Sequence, residues 1–217
     1  KINEINHNLN VIEDLNSQGG LLEILYHNQY IYISYAEKRD KFKLYGPSST
    51  SIAKAKFDRS FLNFKNIFRA EPPIRSPYHF GSRMVITNNQ IYASIGERGK
   101  GMIAQESDKH PGSIIRINLD GSIPIDNPKF IDKPNWLPEI YQIGVRNPQG
   151  MSISPFDNKV YISYTGTNYS KKADLDAMGH IIRGDESKSR RFQVSETLFD
   201  QVKEKYPNHE IHLMGHG

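Results

Sequence analysis

The sequence predicts an all-β fold, a partial β-propeller that is followed by a short α/β segment. Three observations predict it: short strand-like runs separated by turn residues, one unit that recurs three times, and a change of pattern near residue 165. The chain has 217 residues, of which 37% are hydrophobic and 11% are aromatic. This supply of apolar side chains is sufficient for a packed core and too rich for a disordered chain.

Up to about position 165, the chain alternates between strand-like runs and turns. The runs are rich in Ile, Val and Tyr, which favour strands, and they cover residues 29–36, 51–57, 84–86, 91–95, 113–118 and 160–164. Turn residues lie between them, at Asn88-Asn89, Asp120-Gly121 and Asp157-Asn158. Short strands with regular turns indicate an all-β sandwich, barrel or propeller.

An internal repeat decides among these three architectures. Each unit consists of a polar loop, an apolar strand, a tight turn and a second strand that contains the pattern Tyr-x-Ser. The tyrosines of the three units are Tyr32, Tyr92 and Tyr161. Their separations, roughly 60 and roughly 70 residues, exceed the roughly 40–50 residues of common propeller repeats and therefore require long loops. A hairpin that recurs in this way predicts the blades of a propeller.

Three polar side chains occupy nearly the same place in the three units. Gln18, His79 and Arg146 precede Tyr32, Tyr92 and Tyr161 by nearly equal offsets along the chain. Equivalent loops of a propeller lie on one face around the axis, so a ligand at the axis would meet all three side chains. The alternative is that they are ordinary polar residues beside turn glycines.

The pattern changes after residue 165. Apolar residues at helical spacing run from Phe192 to Tyr206, and Pro207 ends the run. A short strand is predicted at residues 210–214, before a Gly-rich end. A helix followed by a strand is typical of α/β proteins. We therefore predict two regions, a β-propeller fragment over residues 1–165 and an α/β tail over residues 166–217.

The composition excludes several kinds of site. The chain has no cysteine, which excludes disulfides and thiolate metal sites, and no run of ~18 apolar residues that could span a membrane. The net charge of +4 comes from scattered Lys and Arg, which indicates a solvated surface rather than a nucleic-acid site. The histidines at 209, 212 and 216 lack the spacing of a metal site, so the metal ligands are unknown at this stage. A first residue of Lys1, without Met or an apolar signal segment, predicts a mature or truncated product.

Five short motifs follow one another along the chain: Gln18-Gly19-Gly20-Leu21-Leu22, His79-Phe80-Gly81-Ser82-Arg83, Gly96-Glu97-Arg98-Gly99, IRINLDGSIP at residues 115–124, and Arg146-Asn147-Pro148-Gln149-Gly150. In this order they resemble the glucose/sorbosone dehydrogenase family, over about residues 15–165. The resemblance implies a soluble aldose dehydrogenase that uses pyrroloquinoline quinone (PQQ) and calcium. It also implies a six-bladed propeller with the quinone in a central cleft.

The same resemblance implies roles for individual residues. His79 would be the general base that takes the proton of the sugar C1 hydroxyl, and Glu97 stands where the family usually has Asp near the base. Imidazole suits this role, since an ordinary pKa of ~6.5 leaves a free base near neutral pH. The implied cofactor-binding residues are Gln18, Gln105, Arg146 and Asn147. The chain departs from the family at Val145, where His is usual, and in the residues that follow Tyr164.

The implied function is oxidation of the C1 hydroxyl of an aldose to the lactone, with a small sugar as substrate and an external electron acceptor as partner. The implied location is periplasmic or secreted.

Two alternatives stay open. One is a non-catalytic β-propeller that binds a sugar or a protein on the same face. The other is a fragment of a lipase-like α/β-hydrolase, because the tail resembles the approach to the nucleophile elbow of class 3 lipases, with Gly217 at the position of the serine.

Overall fold

The computed structural model describes residues 4–12, 17–40, 46–129 and 134–163, and these residues form an almost entirely β structure. The strands are β1 (Asn6–His7), β2 (Leu21–His27), β3 (Tyr30–Lys38), β4 (Ser48–Lys56), β5 (Phe61–Leu62), β6 (Lys65–Arg69), β7 (Gly81–Thr87), β8 (Gln90–Ile95), β9 (Ser113–Asn118), β10 (Ile140–Ile143), β11 (Gly150–Ile153) and β12 (Val160–Ser163). A short 3-10 helix, Gly101–Gln105, lies between β8 and β9. Among these residues, no helix has the length and apolar character that a membrane span requires. The α/β tail predicted for residues 166–217 lies outside the described residues, so the tail and its boundary stay predictions.

The strands form two four-stranded antiparallel sheets. The first has the order β2-β3-β4-β6 and the second has the order β7-β8-β9-β10. Strands β11 and β12 form a third, two-stranded antiparallel sheet, and β1 pairs with β5 in a short parallel sheet. Strand β7 contacts both β2 and β11, so the first strands of the three antiparallel sheets lie side by side. Successive sheets that meet along their first strands are the arrangement of propeller blades, which confirms the predicted all-β class and partial propeller.

The repeated unit occupies the same place in each sheet. Tyr32, Tyr92 and Tyr161 lie on β3, β8 and β12, the second strand of each sheet. The predicted turn at Asn88 and Asn89 joins β7 to β8, and its φ angles are 50° and 58°. This is the left-handed region, which Asn tolerates better than most residues and which a two-residue hairpin turn requires. The repeat therefore corresponds to the first hairpin of each blade.

Sequence analysis missed the outer strands of the two large sheets. Strand β6 buries one of its five residues, Phe68, and strand β10 buries one of its four, Ile140. Strands with so little burial lack the alternation of apolar and polar residues by which a strand is recognised. Their pairing is set by the adjacent strands, β4 and β9, rather than by a pattern of their own.

The main core lies between the first and second sheets. Its buried side chains include Tyr32, Ile52 and Phe68 from the first sheet and Ile91, Ile95, Ile115 and Ile117 from the second. A second core covers the other face of the first sheet, where Leu62 and Phe64 pack near the amino-terminal residues Ile5, Leu9 and Val11. Burial of these side chains holds adjacent blades together, and this fixes the relative positions of the loops at the ends of their strands.

Ile115 is fully buried in the main core, so its truncation should leave a cavity between the sheets. We expect Ile115→Ala to lower the free energy of unfolding by about 2–5 kcal/mol, the usual range for deleting a buried aliphatic side chain. Ile125→Ala is the matched control, because Ile125 is 92% exposed, and it should change stability by less than about 0.5 kcal/mol. Urea unfolding of the purified protein measures both variants. Equal losses would contradict the position of the core.

Candidate functional site

His79 lies in the loop that leads into β7, and the backbone of this loop is held tightly. His79, in the loop, and Ser82, at the start of β7, have φ angles of 54° and 88°, in the left-handed region. The loop lies on Gly96, just after β8, where an added Cβ atom would be 2.0 Å from the His79 carbonyl oxygen. Two N–H groups of this turn bind the loop: that of Gly96 donates to the Phe80 oxygen at 3.1 Å, and that of Arg98 donates to the His79 oxygen at 3.2 Å. The turn after β8 therefore sets the position of the His79 loop.

Arg98 holds the same loop through its side chain. The residue is only 2% exposed, and its guanidinium donates hydrogen bonds to the carbonyl oxygens of Ser48, Ser76 and Tyr78. It also lies over the ring of Phe80, 3.6 Å from the ring centre. Burial lowers the pKa of Arg98 to about 10, so the group stays protonated at neutral pH. Sequence reasoning gave Arg98 no role, and the signal that could have found it was an arginine in a Gly-rich turn directly after a predicted strand.

The imidazole of His79 and the carboxylate of Glu97 are in direct contact. Nδ1 of His79 lies 2.6 Å from Oε1 of Glu97, and the side chains are 19% and 1% exposed. Burial alone would raise the pKa of Glu97, but hydrogen bonds from His79 and from the Gly101 N–H outweigh it, and the pKa of Glu97 is lowered. An ionised Glu97 places the ring proton on Nδ1 of His79. In the tautomer that carries its proton there, Nε2 has a free electron pair and can accept a proton.

Gln18 lies beside this pair, in the loop that precedes β2. Its Oε1 accepts a hydrogen bond from the His79 N–H at 2.8 Å. The backbone N–H of Gln18 donates a hydrogen bond to the Pro77 carbonyl oxygen at 2.8 Å. Gln18 is exposed, so its amide lies at the surface of the site. The first sheet thus contributes a polar group directly to the His79 loop of the second sheet.

The loop before β11 brings the third sheet to the same place. The Arg146 carbonyl oxygen accepts a hydrogen bond from the Glu97 N–H at 2.8 Å, and Nε of Arg146 lies 3.4 Å from Oε1 of Glu97. Oδ1 of Asn147 accepts a hydrogen bond from the Gly81 N–H at 2.9 Å. The Arg146 side chain is 32% exposed, so its positive charge reaches the surface. We call these five residues the loop cluster: Gln18, His79, Glu97, Arg146 and Asn147.

Gln105 is the one candidate residue that the structure does not join to the loop cluster. It ends the 3-10 helix and is exposed, and no hydrogen bond among the described residues links it to the five. Its Nε2 lies beside Gly144, 3.5 Å from where a Cβ atom would be. Val145, where the family usually has His, is 5% exposed and donates its N–H to the Gly112 oxygen at 3.0 Å. Val145 therefore belongs to the packing beneath the loop rather than to the cluster.

The described residues contain no group of three or more His, Cys, Asp or Glu side chains that could hold a metal ion. They do line a cavity of about 630 Å³ that shares no residue with the loop cluster and is formed by Ile123, Pro124, Ile125, Asn127, Pro128, Lys129, Pro134, Trp136 and Pro138. Its walls are mainly apolar and carry neither a carboxylate nor an imidazole. The chemistry of the site therefore comes from the loop cluster, which combines an oriented imidazole, a guanidinium and two amides.

Comparisons with known proteins agree with one another. The model of the glucose/sorbosone dehydrogenase family matches residues 2–185. The aldose sugar dehydrogenase YliI of Escherichia coli K12 is 31% identical over 173 residues, which are 75% of this chain and 45% of that protein. Quinoprotein glucose dehydrogenase B of Acinetobacter calcoaceticus is 31% identical over 201 residues, which are 78% of this chain and 40% of that protein. The crystal structure of the soluble aldose sugar dehydrogenase of Escherichia coli, in its apo form, matches with a TM-score of 0.62 and 31% identity, over 69% of this chain and 44% of that chain.

The matches differ in how much of each protein they cover. The chain spans less than half the length of these curated relatives, 45% of one and 40% of the other. The family match ends at residue 185, so it includes the first part of the segment predicted as an α/β tail. All five residues of the loop cluster lie within the matched range.

The lowered pKa of Glu97 predicts a pH dependence of stability. Because the folded-state pKa lies below the ordinary value of 4.5, ionisation of Glu97 contributes stability that is present above that pH and is lost as the pH falls through the folded pKa. We expect Glu97→Gln to remove this contribution, so the variant should lose less stability than the wild type between about pH 6 and about pH 3.

Urea unfolding at a series of pH values measures this dependence. Glu106→Gln is the control, because the Glu106 side chain is 43% exposed and lies outside the loop cluster, and it should keep the slope of the wild type. Parallel stability curves for the wild type and Glu97→Gln would show that Glu97 is not held in its ionised form.

Proposed function

Because this chain belongs to the glucose/sorbosone dehydrogenase family, we propose that it provides the base and part of the cofactor site for the PQQ-dependent oxidation of an aldose at C1, with the lactone as product. The observation that carries the proposal is the 2.6 Å contact between Nδ1 of His79 and Oε1 of Glu97. It holds the ring in the tautomer in which Nε2 can accept a proton, as a general base must. A quinoprotein glucose dehydrogenase among the relatives supports a quinone as the oxidant.

In the proposed reaction, the C1 hydroxyl of the sugar transfers its proton to Nε2 of His79, and the hydrogen on C1 leaves with its electron pair. PQQ, when bound, supplies the acceptor for that hydride. Glu97 stabilises the imidazolium that forms, because its carboxylate is ionised and already in contact with Nδ1. Oε1 of Gln18 accepts a hydrogen bond from the His79 backbone N–H, so the base keeps its place while the charge of its ring changes.

The cofactor part of the proposal rests on the polar groups around the base. PQQ carries carboxylates and quinone oxygens, and guanidinium and amide groups bind such acceptors well. Arg146 offers a partly exposed guanidinium next to Glu97, while Gln18 and Asn147 place amides in the same cluster. These residues suit an anionic quinone. Gln105 stays in the proposal as an exposed amide beside Gly144.

Calcium, an external electron acceptor and a periplasmic or secreted location enter the proposal through the family resemblance alone. Calcium prefers about six to eight oxygen ligands. The described residues do not bring three or more acidic or imidazole side chains together. We therefore assign no residue of this chain to calcium.

A second candidate function is a propeller that binds a sugar or a protein on the same face without oxidising it. This alternative is favoured by the departures of the sequence from the family pattern, at Val145, where His is usual, and in the residues that follow Tyr164. The two functions differ in one observable. The enzyme reduces an added redox dye in the presence of sugar and PQQ, whereas the binding module does not.

The proposed roles of His79 and Arg146 predict opposite effects in the complete gene product. His79→Ala should lower kcat by about 10²-fold or more, the usual contribution of a general base, and should leave the dissociation constant for PQQ nearly unchanged. Arg146→Ala should instead weaken PQQ binding first, because it removes a charge that pairs with the cofactor. Dye-coupled sugar oxidation gives kcat, and titration of PQQ in the presence of calcium gives its dissociation constant.

The controls are His7→Ala and Arg59→Ala, which remove the same side-chain types from exposed positions outside the loop cluster. Neither should change kcat or PQQ binding. An active enzyme whose His79→Ala variant keeps normal turnover would remove His79 as the base.

A further inference from the structure

The serine of the repeated Tyr-x-Ser pattern has a contact that the proposed function does not use. Ser34 and Ser94 lie on β3 and β8, the second strands of the first and second sheets. Both are 0% exposed. A hydroxyl that is buried so completely needs a hydrogen-bond partner. The same position of the third unit is Ser163, on β12, and the inference rests on the first two serines.

In both cases the hydroxyl reaches across to the next sheet. Oγ of Ser34 donates a hydrogen bond to the Ser82 carbonyl oxygen at 2.6 Å, and Ser82 is the second residue of β7, directly after the His79 loop. Oγ of Ser94 donates to the Pro148 carbonyl oxygen at 2.9 Å, and Pro148 follows Arg146 and Asn147 in the loop before β11. One repeated sequence position thus holds, in two successive sheets, the site loop of the sheet that follows.

The two serine hydroxyls bind the backbone at points where it needs support to keep its conformation. Ser82 has a φ of 88°, a conformation that a residue with a side chain keeps only when its surroundings hold it there. The Ser94 hydroxyl also accepts a hydrogen bond from the Arg83 N–H at 3.1 Å, so it joins β7 and β8 to the loop before β11. A shift of about 1 Å in a group that acts on a substrate can lower a rate by about 10²-fold.

We propose that Ser34 and Ser94 are positioning residues, each of which fixes the position of the loop that leads into the next sheet. Ser34 positions the loop before β7, which carries the proposed base, and Ser94 positions the loop before β11, which carries the proposed cofactor-binding residues. The assignment of the base and of the cofactor-binding residues rests on the proposed function. The positioning itself does not, because it is a statement about two hydrogen bonds and the loops that they hold. The two parts can therefore be tested separately.

Amide hydrogen exchange, measured by NMR on the complete gene product without substrate or cofactor, tests the positioning. Two neighbouring amides report on the two loops: the Arg98 N–H is bonded to the His79 oxygen, and the Glu97 N–H is bonded to the Arg146 oxygen. Ser34→Ala should speed exchange at the Arg98 amide by about fivefold to tenfold and change the Glu97 amide much less. Ser94→Ala should show the reverse pattern.

Ser51→Ala is the matched control. Ser51 is also 0% exposed and donates its hydroxyl to Oε2 of Glu37 within the first sheet, away from both site loops. It should lower global stability by a similar amount and leave the ratio of the two exchange rates unchanged. If all three variants speed both amides equally, the serines stabilise the fold without setting the loops, and the proposal is wrong.

Kinetics in the complete gene product test the link to function. Ser34→Ala should lower kcat for sugar oxidation by about tenfold or more with nearly unchanged PQQ binding, and Ser94→Ala should weaken PQQ binding first. A wild-type protein that oxidises no sugar would overturn the proposed function and leave the exchange result standing. Selective exchange effects together with normal kcat and normal PQQ binding in both variants would overturn the functional part of this inference.

Discussion

The missing side chain at Gly96 lets the His79 loop lie directly on the turn after β8, and the loop cluster depends on this contact. A Cβ atom there would be 2.0 Å from the His79 carbonyl oxygen and 2.8 Å from the Gly81 nitrogen. Any other residue at position 96 would push the loop away, because the atoms that its Cβ atom would meet belong to the backbone of the loop and not to a flexible side chain. Such a movement would separate the imidazole from Glu97, since the two side chains meet at 2.6 Å. The orientation of the proposed base therefore depends on the absence of a side chain at Gly96.

The two residues that follow act on the same loop through different contacts. Glu97 contacts the imidazole of His79, and Arg98 donates hydrogen bonds to the backbone carbonyl oxygens of Tyr78 and Ser48. Each is a buried charge, and a buried charge without compensation destabilises a protein strongly. Hydrogen bonds from His79 and Gly101 compensate Glu97, while carbonyl oxygens and the ring of Phe80 compensate Arg98. Burial of these charges is tolerated because each is compensated, and the compensating contacts with His79, Tyr78 and Phe80 also hold the loop.

Much of this arrangement could be predicted from the sequence, because a propeller repeats one hairpin. Nearly equal offsets from the repeated tyrosines placed Gln18, His79 and Arg146 in equivalent loops, and the structure brings these three loops together. Arg98 could not be found in this way, since its acceptors Ser48 and Tyr78 are 50 and 20 residues away along the chain. The outer strands β6 and β10 escaped for a different reason, which is that each buries a single side chain. Motif matching also does not determine where an exposed side chain such as Gln105 points.

A site that is assembled from the loops of three sheets depends on how firmly those sheets are joined near the loops. Apolar packing between sheets resists separation, but it is not directional and tolerates sliding. Hydrogen bonds between sheets supply the direction that packing lacks.

The hydrogen bonds between sheets near the loop cluster include the following four. They join Ser34 to the Ser82 oxygen, Thr50 to the Phe80 oxygen, Ser94 to the Pro148 oxygen, and the Gly81 N–H to Asn147. Three of the four are buried, where a hydrogen bond is electrostatically stronger than in water. A hydroxyl on a strand is short enough to fit between packed sheets and still reach a carbonyl of the next loop. This explains why serine, rather than a longer polar residue, stands at the repeated position: the small side chain preserves the packing that holds the blades together and adds the direction that the loops require.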